Sequence, residues 1–336
     1  MFTMRKSPAI AVVILTACLV RGVCAQLRGG SEQSEPVAPA GTANRLGLDT
    51  ASNAELQHAL QAHDLKRAEQ LLIETINRDP HSLHARERLI LAGHVFFLDG
   101  KYLNAAIAWS KADLIAPLDD SSRFTLAMAD VKLHRPDWAR TQLAKLALEN
   151  PKVALYQYWL GRLDYDAQQY PSAIERLQRV IQLDPEMARA YDSLGLCYDY
   201  LGKTDRAIAN YEKAVAFNRK QPHPSAWPNL DFAIALMRAN QLGKAEAQLR
   251  EALIYDSNLP QANYRLGLVL AEQGRLPEAI HALQRAVASD PAYAEPHYLL
   301  ARFYNRLGRR DMARKEANIF QSLREKNNSL PQSRTR

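Results

Sequence analysis

His81 and His84 lie three residues apart, close enough for two imidazoles to share a metal ion. They follow Pro80 in a loop with no cysteine or carboxylate cluster beside them, so a zinc site is not expected. Asp119-Asp120 and Asp164/Asp166 pair carboxylates, the side chains of general acid and base work. Each pair falls at a repeat turn or on a polar face, where solvated charge is the ordinary outcome. The chain contains no GxGxxG or GxxxxGK(S/T) phosphate loop, no HExxH, no GxSxG and no CxxC. No catalytic residue, metal site or cofactor is indicated. An enzyme whose chemistry hides in a binding groove stays open as an alternative.

The larger signal is a period. Pro117, Pro151 and Pro185 recur every 34 residues, and Pro291 follows three periods and four residues later. Gly100 to Gly202 is three periods, Gly202 to Gly274 is two plus the same four residues, and Gly274 to Gly308 is 34 again. Two residue types thus place one insertion in one interval, and Pro222-His223-Pro224-Ser225 (222–225) fits it. In the clearest unit, 154–187, Leu160-Gly161 and Leu163 belong to a first helix and a turn follows at Gln168-Gln169. Tyr170-Pro171 opens a second helix, in which Ala173, Leu177 and Val180 share one face. Asp184-Pro185 ends it, because proline cannot continue a helix. A period of this length marks a stacked helical repeat, whose usual product is a binding surface.

The 336 residues are 47% hydrophobic and 24% charged, ordinary globular values that allow a large core. The net charge of +7 is unevenly placed. Residues 301–336 hold ten Lys and Arg against three Asp and Glu, whereas 26–300 hold 30 against 33. A near-neutral body with one basic end gives no reason to expect nucleic acid. Arg5 and Lys6 precede an apolar run from Ala9 to Val20, and Val23-Cys24-Ala25 places small residues before Gln26. Residues 1–25 therefore read as a signal peptide cleaved after Ala25. Two alternatives are an uncleaved anchor and lipidation at Cys18, since Leu15-Thr16-Ala17-Cys18 resembles a bacterial lipobox. After cleavage Cys197 is the one cysteine left, on an apolar helix face where a buried, inert thiol is expected. Residues 26–48, rich in Gly, Ser, Pro and Ala, read as a disordered linker, and 328–336 as a disordered basic tail.

The repeats resemble the tetratricopeptide motif, with its small residue in the first helix and its Ala and bulky residue in the second. Unit 188–221 has Tyr191, Leu194-Gly195, Tyr198, Gly202, Ala207, Tyr211 and Ala214. Unit 260–293 has Leu266-Gly267, Gly274, Ala279, Leu283, Ala286 and Pro291. Unit 226–259 departs with Ser257 for proline, 294–327 departs with Ala317 and Phe320, and 49–82 is degenerate. The resemblance covers 49–327, about eight motifs, with the insertion at 222–225. It implies an all-α helix-turn-helix solenoid wound as a right-handed superhelix.

In such arrays the first helices line a concave groove. Carried onto this sequence, the groove includes Phe124, Tyr158, Arg162, Tyr165, Asp192, Tyr200, Trp227, Tyr264, Tyr298 and Arg302. Tyrosine offers apolar area with a hydroxyl, and arginine can grip carboxylates with two parallel bonds. The family's chaperone clamp of lysines and asparagines is missing, because its positions hold Phe124, Met128, Tyr158, Arg162, Asp192 and Leu196. The resemblance implies a scaffold or adaptor for protein or peptide segments, and the signal implies export to the periplasm, cell envelope or medium. A lipoprotein subunit of an envelope assembly or secretion machine is the alternative. Contact with membrane is expected only through a lipid anchor or uncleaved signal. The oligomeric state is left open. The basic end reads as a solvated capping helix or as a surface for an anionic partner.

Overall fold

The computed structural model describes residues 43–329. The signal peptide, Cys18, the linker up to residue 42 and the tail from 330 lie outside the described residues. Among the described residues the structure is helical, without strands. A one-turn helix, α1 (Ala43–Leu46), precedes eight antiparallel hairpins. They are α2 (Thr50–Gln61) with α3 (Leu65–Arg78), α4 (Ala85–Leu98) with α5 (Tyr102–Ile115), α6 (Asp120–Lys132) with α7 (Pro136–Glu149), and α8 (Ala154–Asp166) with α9 (Tyr170–Leu183). Then follow α10 (Ala188–Tyr200) with α11 (Thr204–Asn218), α12 (Trp227–Arg238) with α13 (Leu242–Tyr255), α14 (Pro260–Glu272) with α15 (Leu276–Ser289), and α16 (Ala294–Arg306) with α17 (Arg310–Ser329). The first four hairpins form one compact unit, ending at Leu183, and the last four a second, beginning at Asp184. Among the described residues no helix is long and apolar enough to cross a membrane.

Every hairpin turns on one left-handed residue: His63, Gly100, His134, Gln168, Gly202, Asn240, Gly274 and Gly308, with φ between 54° and 77°. In each, the next N–H donates to a carbonyl five residues back, as Lys203 does to Tyr198 and Gln241 to Leu236, both at 2.8 Å. This bond closes the first helix and reverses the chain within three residues of its end. Only four of the eight are glycine, so a search for glycine sees half of the series.

Closure between paired helices depends on a small residue facing a large one. A Cβ on Gly195 would sit 2.5 Å from the Tyr211 ring, and one on Gly267 would sit 2.7 Å from Leu283. Leu72, Trp109, Leu143, Leu177, Tyr211, Leu249 and Leu283 occupy the matching second-helix position, each no more than 1% exposed. Burying one such side chain contributes roughly 2–3 kcal/mol. Cys197 is fully buried, as its helix face predicts.

One segment differs from expectation, and the insertion gains a definite form. The segment read as linker to residue 48 already belongs to the fold from Ala43. Leu46 is buried, and the Arg88 guanidinium donates to the carbonyls of Leu46 at 2.7 Å and Gly47 at 3.1 Å. Those contacts join residues about forty positions apart, so nothing local in the sequence announces them. The insertion, in turn, is a pinned loop. The Asn218 side chain donates to the Ser225 carbonyl at 2.8 Å and accepts from its N–H at 2.9 Å.

Candidate functional site: the first-helix faces and the eighth hairpin

Some successive first helices touch, α4 with α6 in the first unit, and α10 with α12 and α12 with α14 in the second. Each unit therefore presents a wall of first helices. The side chains expected on that wall separate into three sets. Phe124 and Tyr158 are buried, at 5% and 8% exposed, which corrects their assignment to an open groove. Phe124 lies against Tyr156 of the next hairpin, with ring centroids 5.8 Å apart, and Tyr158 meets Trp159 edge-on at 5.7 Å. Phe124 thus fills a seam between α6 and α8, while Tyr158 is covered on α8 itself.

The second set is half-buried. The Arg162 guanidinium lies 5.1 Å from the Tyr165 ring centroid and 3.8 Å from Asp166, while Tyr165 meets Tyr170 at 5.8 Å. Asp192 is half-buried on α10. Tyr264 packs on Tyr293 at 5.3 Å; burial raises both phenols, that of Tyr293 to about 12. Both phenols stay protonated at neutral pH. The third set is exposed: Tyr200 at 66%, Trp227 at 51% and Tyr298 at 45%, together with Arg302.

Tyr298 and Arg302 are the pair that the fold builds into a site. They edge a cleft of about 890 Å³ between α16 and α17, entirely within the last hairpin. Arg302 lies 5.6 Å over Tyr298, Phe320 meets Tyr298 at 5.3 Å, and Arg324 lies 5.7 Å over Phe320. Arg310 and Arg314 add to a mainly basic rim in which Glu325 is the acidic member, and Ala301, Ala313 and Ala317 line the cleft. The sequence assigns the basic residues of α17 to a solvated cap or an anionic partner, but does not join them to Tyr298 or to Phe320. The signal for that joining is in the sequence, where Ala317 and Phe320 break the repeat pattern.

Two perturbed ionisable groups lie in the interior of the first unit. Burial pushes the Asp130 carboxyl up to about 6, against a small opposing pull from Arg135. Burial lowers the pKa of His94, whose Nδ1 is 2.9 Å from the Ile90 carbonyl and whose ring meets Trp109 edge-on at 5.1 Å. Both are 1% exposed and neither lines the cleft. Among the described residues no group of His, Cys, Asp and Glu has an arrangement that could hold a metal ion.

Eight like hairpins with one turn and one knob position each define a helical-repeat protein. The chain is a tetratricopeptide-repeat protein: the family model matches residues 160–223, 230–294 and 272–320. Among curated relatives, a cytochrome c-type biogenesis protein CycH of Rhizobium meliloti (strain 1021) is 32% identical over 124 residues, covering 36% of this chain and 32% of the relative. The type IV pilus assembly protein PilF of Pseudomonas aeruginosa is 26% identical over 174 residues, 51% of this chain and 65% of PilF. The chain thus spans about a third of the first relative and just under two thirds of the second. A tetratricopeptide repeat protein from Parabacteroides merdae superposes with a TM-score of 0.61 at 14% identity, covering 81% of this chain and 98% of that one. PilW, a type IV pilus biogenesis factor, gives 0.54 at 20% identity, covering 60% and 92%. At these identities the structures speak for the fold alone.

Proposed function

We propose that the chain is an exported scaffold that binds segments of partner proteins on its first-helix faces. The observation that carries this reading is the exposure of Tyr200, Trp227, Tyr298 and Arg302 on first helices, in a repeat family whose architecture yields binding surfaces. Rigid aromatic rings on a fixed wall give contact area at little cost in side-chain entropy. Export rests on the sequence of residues 1–25 and is supported by relatives named for cytochrome c-type biogenesis and type IV pilus assembly.

A photo-reactive phenylalanine at Tyr200 or Trp227 tests the reading, with the same probe at Arg179 on the second helix α9 as control. Discrete cross-linked polypeptides from the first-helix positions, missing from the control, are expected. Equal labelling from all three positions would sink it.

The pilus-assembly relatives also favour a second reading, a lipid-tethered accessory subunit of an envelope machine, with Cys18 as the anchor. Mass spectrometry of the mature N-terminus separates the two. A chain beginning at lipidated Cys18 selects the tethered form, and one beginning at Gln26 selects the free form.

A further inference from the structure

In the seventh hairpin the groove between α14 and α15 is a seat for the next helix. Leu268 of α14 and Leu283 and Val287 of α15 pack there with Leu299, Leu300 and Phe303 of α16. One repeat on, the corresponding residues are Arg302, Ala317 and Gln321, and Ile280 gives way to Arg314. The knob position, at most 1% exposed in the seven earlier hairpins, is here Ala317, which is exposed. An alanine facing Ala301 leaves the depth that a leucine would fill, and so deepens the 890 Å³ cleft.

A polar end is an ordinary way to keep a repeat array soluble. Solubility alone does not explain Phe320, which stands where six of the seven other hairpins carry Ala, Val or Leu and puts a second ring beside Tyr298. Nor does it explain the arginines. Among the described residues no carboxylate lies within ion-pair distance of Arg302, Arg310, Arg314 or Arg324, though acidic residues elsewhere pair freely with arginine.

We propose that the α16–α17 cleft binds an acidic amphipathic helix of a partner protein, seated as α16 is seated on the seventh hairpin. Carboxylates on the partner's flanks meet Arg302, Arg314 and Arg324 in charge-assisted bonds. A bulky apolar side chain from its ridge enters above Ala301 and Ala317, taking the role of the missing knob. Tyr298 and Phe320 line one wall. This deepens the polypeptide-binding reading and rests on it.

The probe is a fluorescein-labelled helical peptide of about 16 residues with glutamates flanking a leucine ridge, and a second peptide with Lys for every Glu. Anisotropy is measured with the full chain, with Arg302→Glu/Arg314→Glu, and with Ala317→Leu, after circular dichroism confirms that each variant is folded. Wild type binds the Glu peptide and rejects the Lys peptide, and each variant weakens binding by at least about tenfold. Equal affinity across the three proteins, or no binding to wild type, overturns the proposal. So does adhesion to phosphatidylserine vesicles without peptide binding, which would make the arginines a lipid surface. A dimer lost in the charge-reversed variant, without peptide binding, would give the cleft to a second copy. Cross-links at Tyr200 and Trp227 that persist while the peptide fails remove this inference alone; their loss with the peptide intact removes the broader first-helix reading instead.

Discussion

Two sets of arginines in the second unit differ. Between its inner hairpins Arg219 and Arg275 join helices, while Arg206 and Arg265 there lie over the Tyr198 and Tyr264 rings. Both nitrogens of the Arg219 fork meet Glu251 at 2.6 Å, tying α11 to α13, and Arg275 reaches Glu246 at 2.8 Å and Glu278 at 2.6 Å. Hydrogen bonding to Arg219 holds the Glu251 carboxyl below its ordinary range, and Glu246 is lowered by Arg250 and Arg275 despite its burial. On the eighth hairpin Arg302 rests on Tyr298 and Arg324 on Phe320, and neither these nor Arg310 and Arg314 meet a carboxylate among the described residues. Backbone and turn are the same in both places, since Gly274 and Gly308 close their hairpins alike. What changes is the fate of one face, which α16 covers on the seventh hairpin and which is exposed at Ala317 on the eighth. The repeat dictates where a face lies, and side chains alone decide what it meets.

The knob position separates the two hairpins most strongly. Leu283 is fully buried, and Leu283→Ala should lower the stability of the second unit by about 3 kcal/mol, as large-to-small changes in cores do. Ala317→Leu, the reverse change one repeat later, should cost nothing in urea denaturation followed by circular dichroism. Comparable losses from both would mean that Ala317 is a core residue and that no cleft distinguishes the hairpins.

Much of this was legible in the chain and some was not. Proline and glycine spacing gave the period, because helix ends need residues that cannot continue a helix or that tolerate positive φ. His134, Gln168 and Asn240 hold the same backbone without glycine, so their turns are visible only as equal spacing. Phe124 and Tyr158 were assigned to a groove because first-helix position implied it. Whether such a residue faces outward or into a seam depends on contact between first helices 34 residues apart, which no local pattern encodes. Arg88 and α1 were hidden for the same reason. The α17 side of the cleft was visible as a departure from pattern, but a departure has no meaning until the filled seat one hairpin earlier is known.

Two buried carboxylates in the first unit test how much pairing matters inside the array. Asp130 and Asp164 are 34 residues apart at one repeat position and are 1% and 2% exposed. Asp164 accepts from Arg140 at 2.6 Å and from Arg176 at 2.8 Å. Neither oxygen of Asp130 meets a donor among the described residues. Because its folded pKa is raised, the folded chain holds more protons than the unfolded one between pH 3.8 and about 6, so this residue lowers stability as pH rises through that window. Asp130→Asn should therefore stabilise by about 1–2 kcal/mol above the window and by almost nothing below it. A gain independent of pH would assign the effect to volume or shape instead of charge.

A smaller effect is expected at the turns. Gln168 and Gly202 have φ of 59° and 69°, and they close neighbouring repeats with the same bond at 2.8 Å. Gln168→Gly should raise stability by about 1 kcal/mol, because the left-handed conformation strains any residue with a Cβ. Gly202→Ala should lower it by a similar ~1 kcal/mol, and by strain alone, since nothing lies within 4 Å of the added carbon. Thermal unfolding of the two variants should move in opposite directions; a shared sign would show that the turns are not equivalent.

The smallest effect is expected from the residues with the clearest proposed use. Arg302→Gln, Arg310→Gln and Arg314→Gln remove three cations from the eighth hairpin but no ion pair among the described residues, so unfolding should shift by less than about 0.5 kcal/mol even when they are combined. Removing like charges from one cleft could raise stability slightly, and that gain should fade as salt screens the repulsion. Arg219→Gln, by contrast, leaves the partly buried Glu251 without its fork and should destabilise the second unit measurably. Salt-dependent calorimetry on the triple and single variants measures both effects. A large loss from the triple variant would place these arginines among the structural ones and erase the division between the two sets. Near-silence in stability, together with a lost preference for the acidic peptide, is the pattern expected of cations held for a partner.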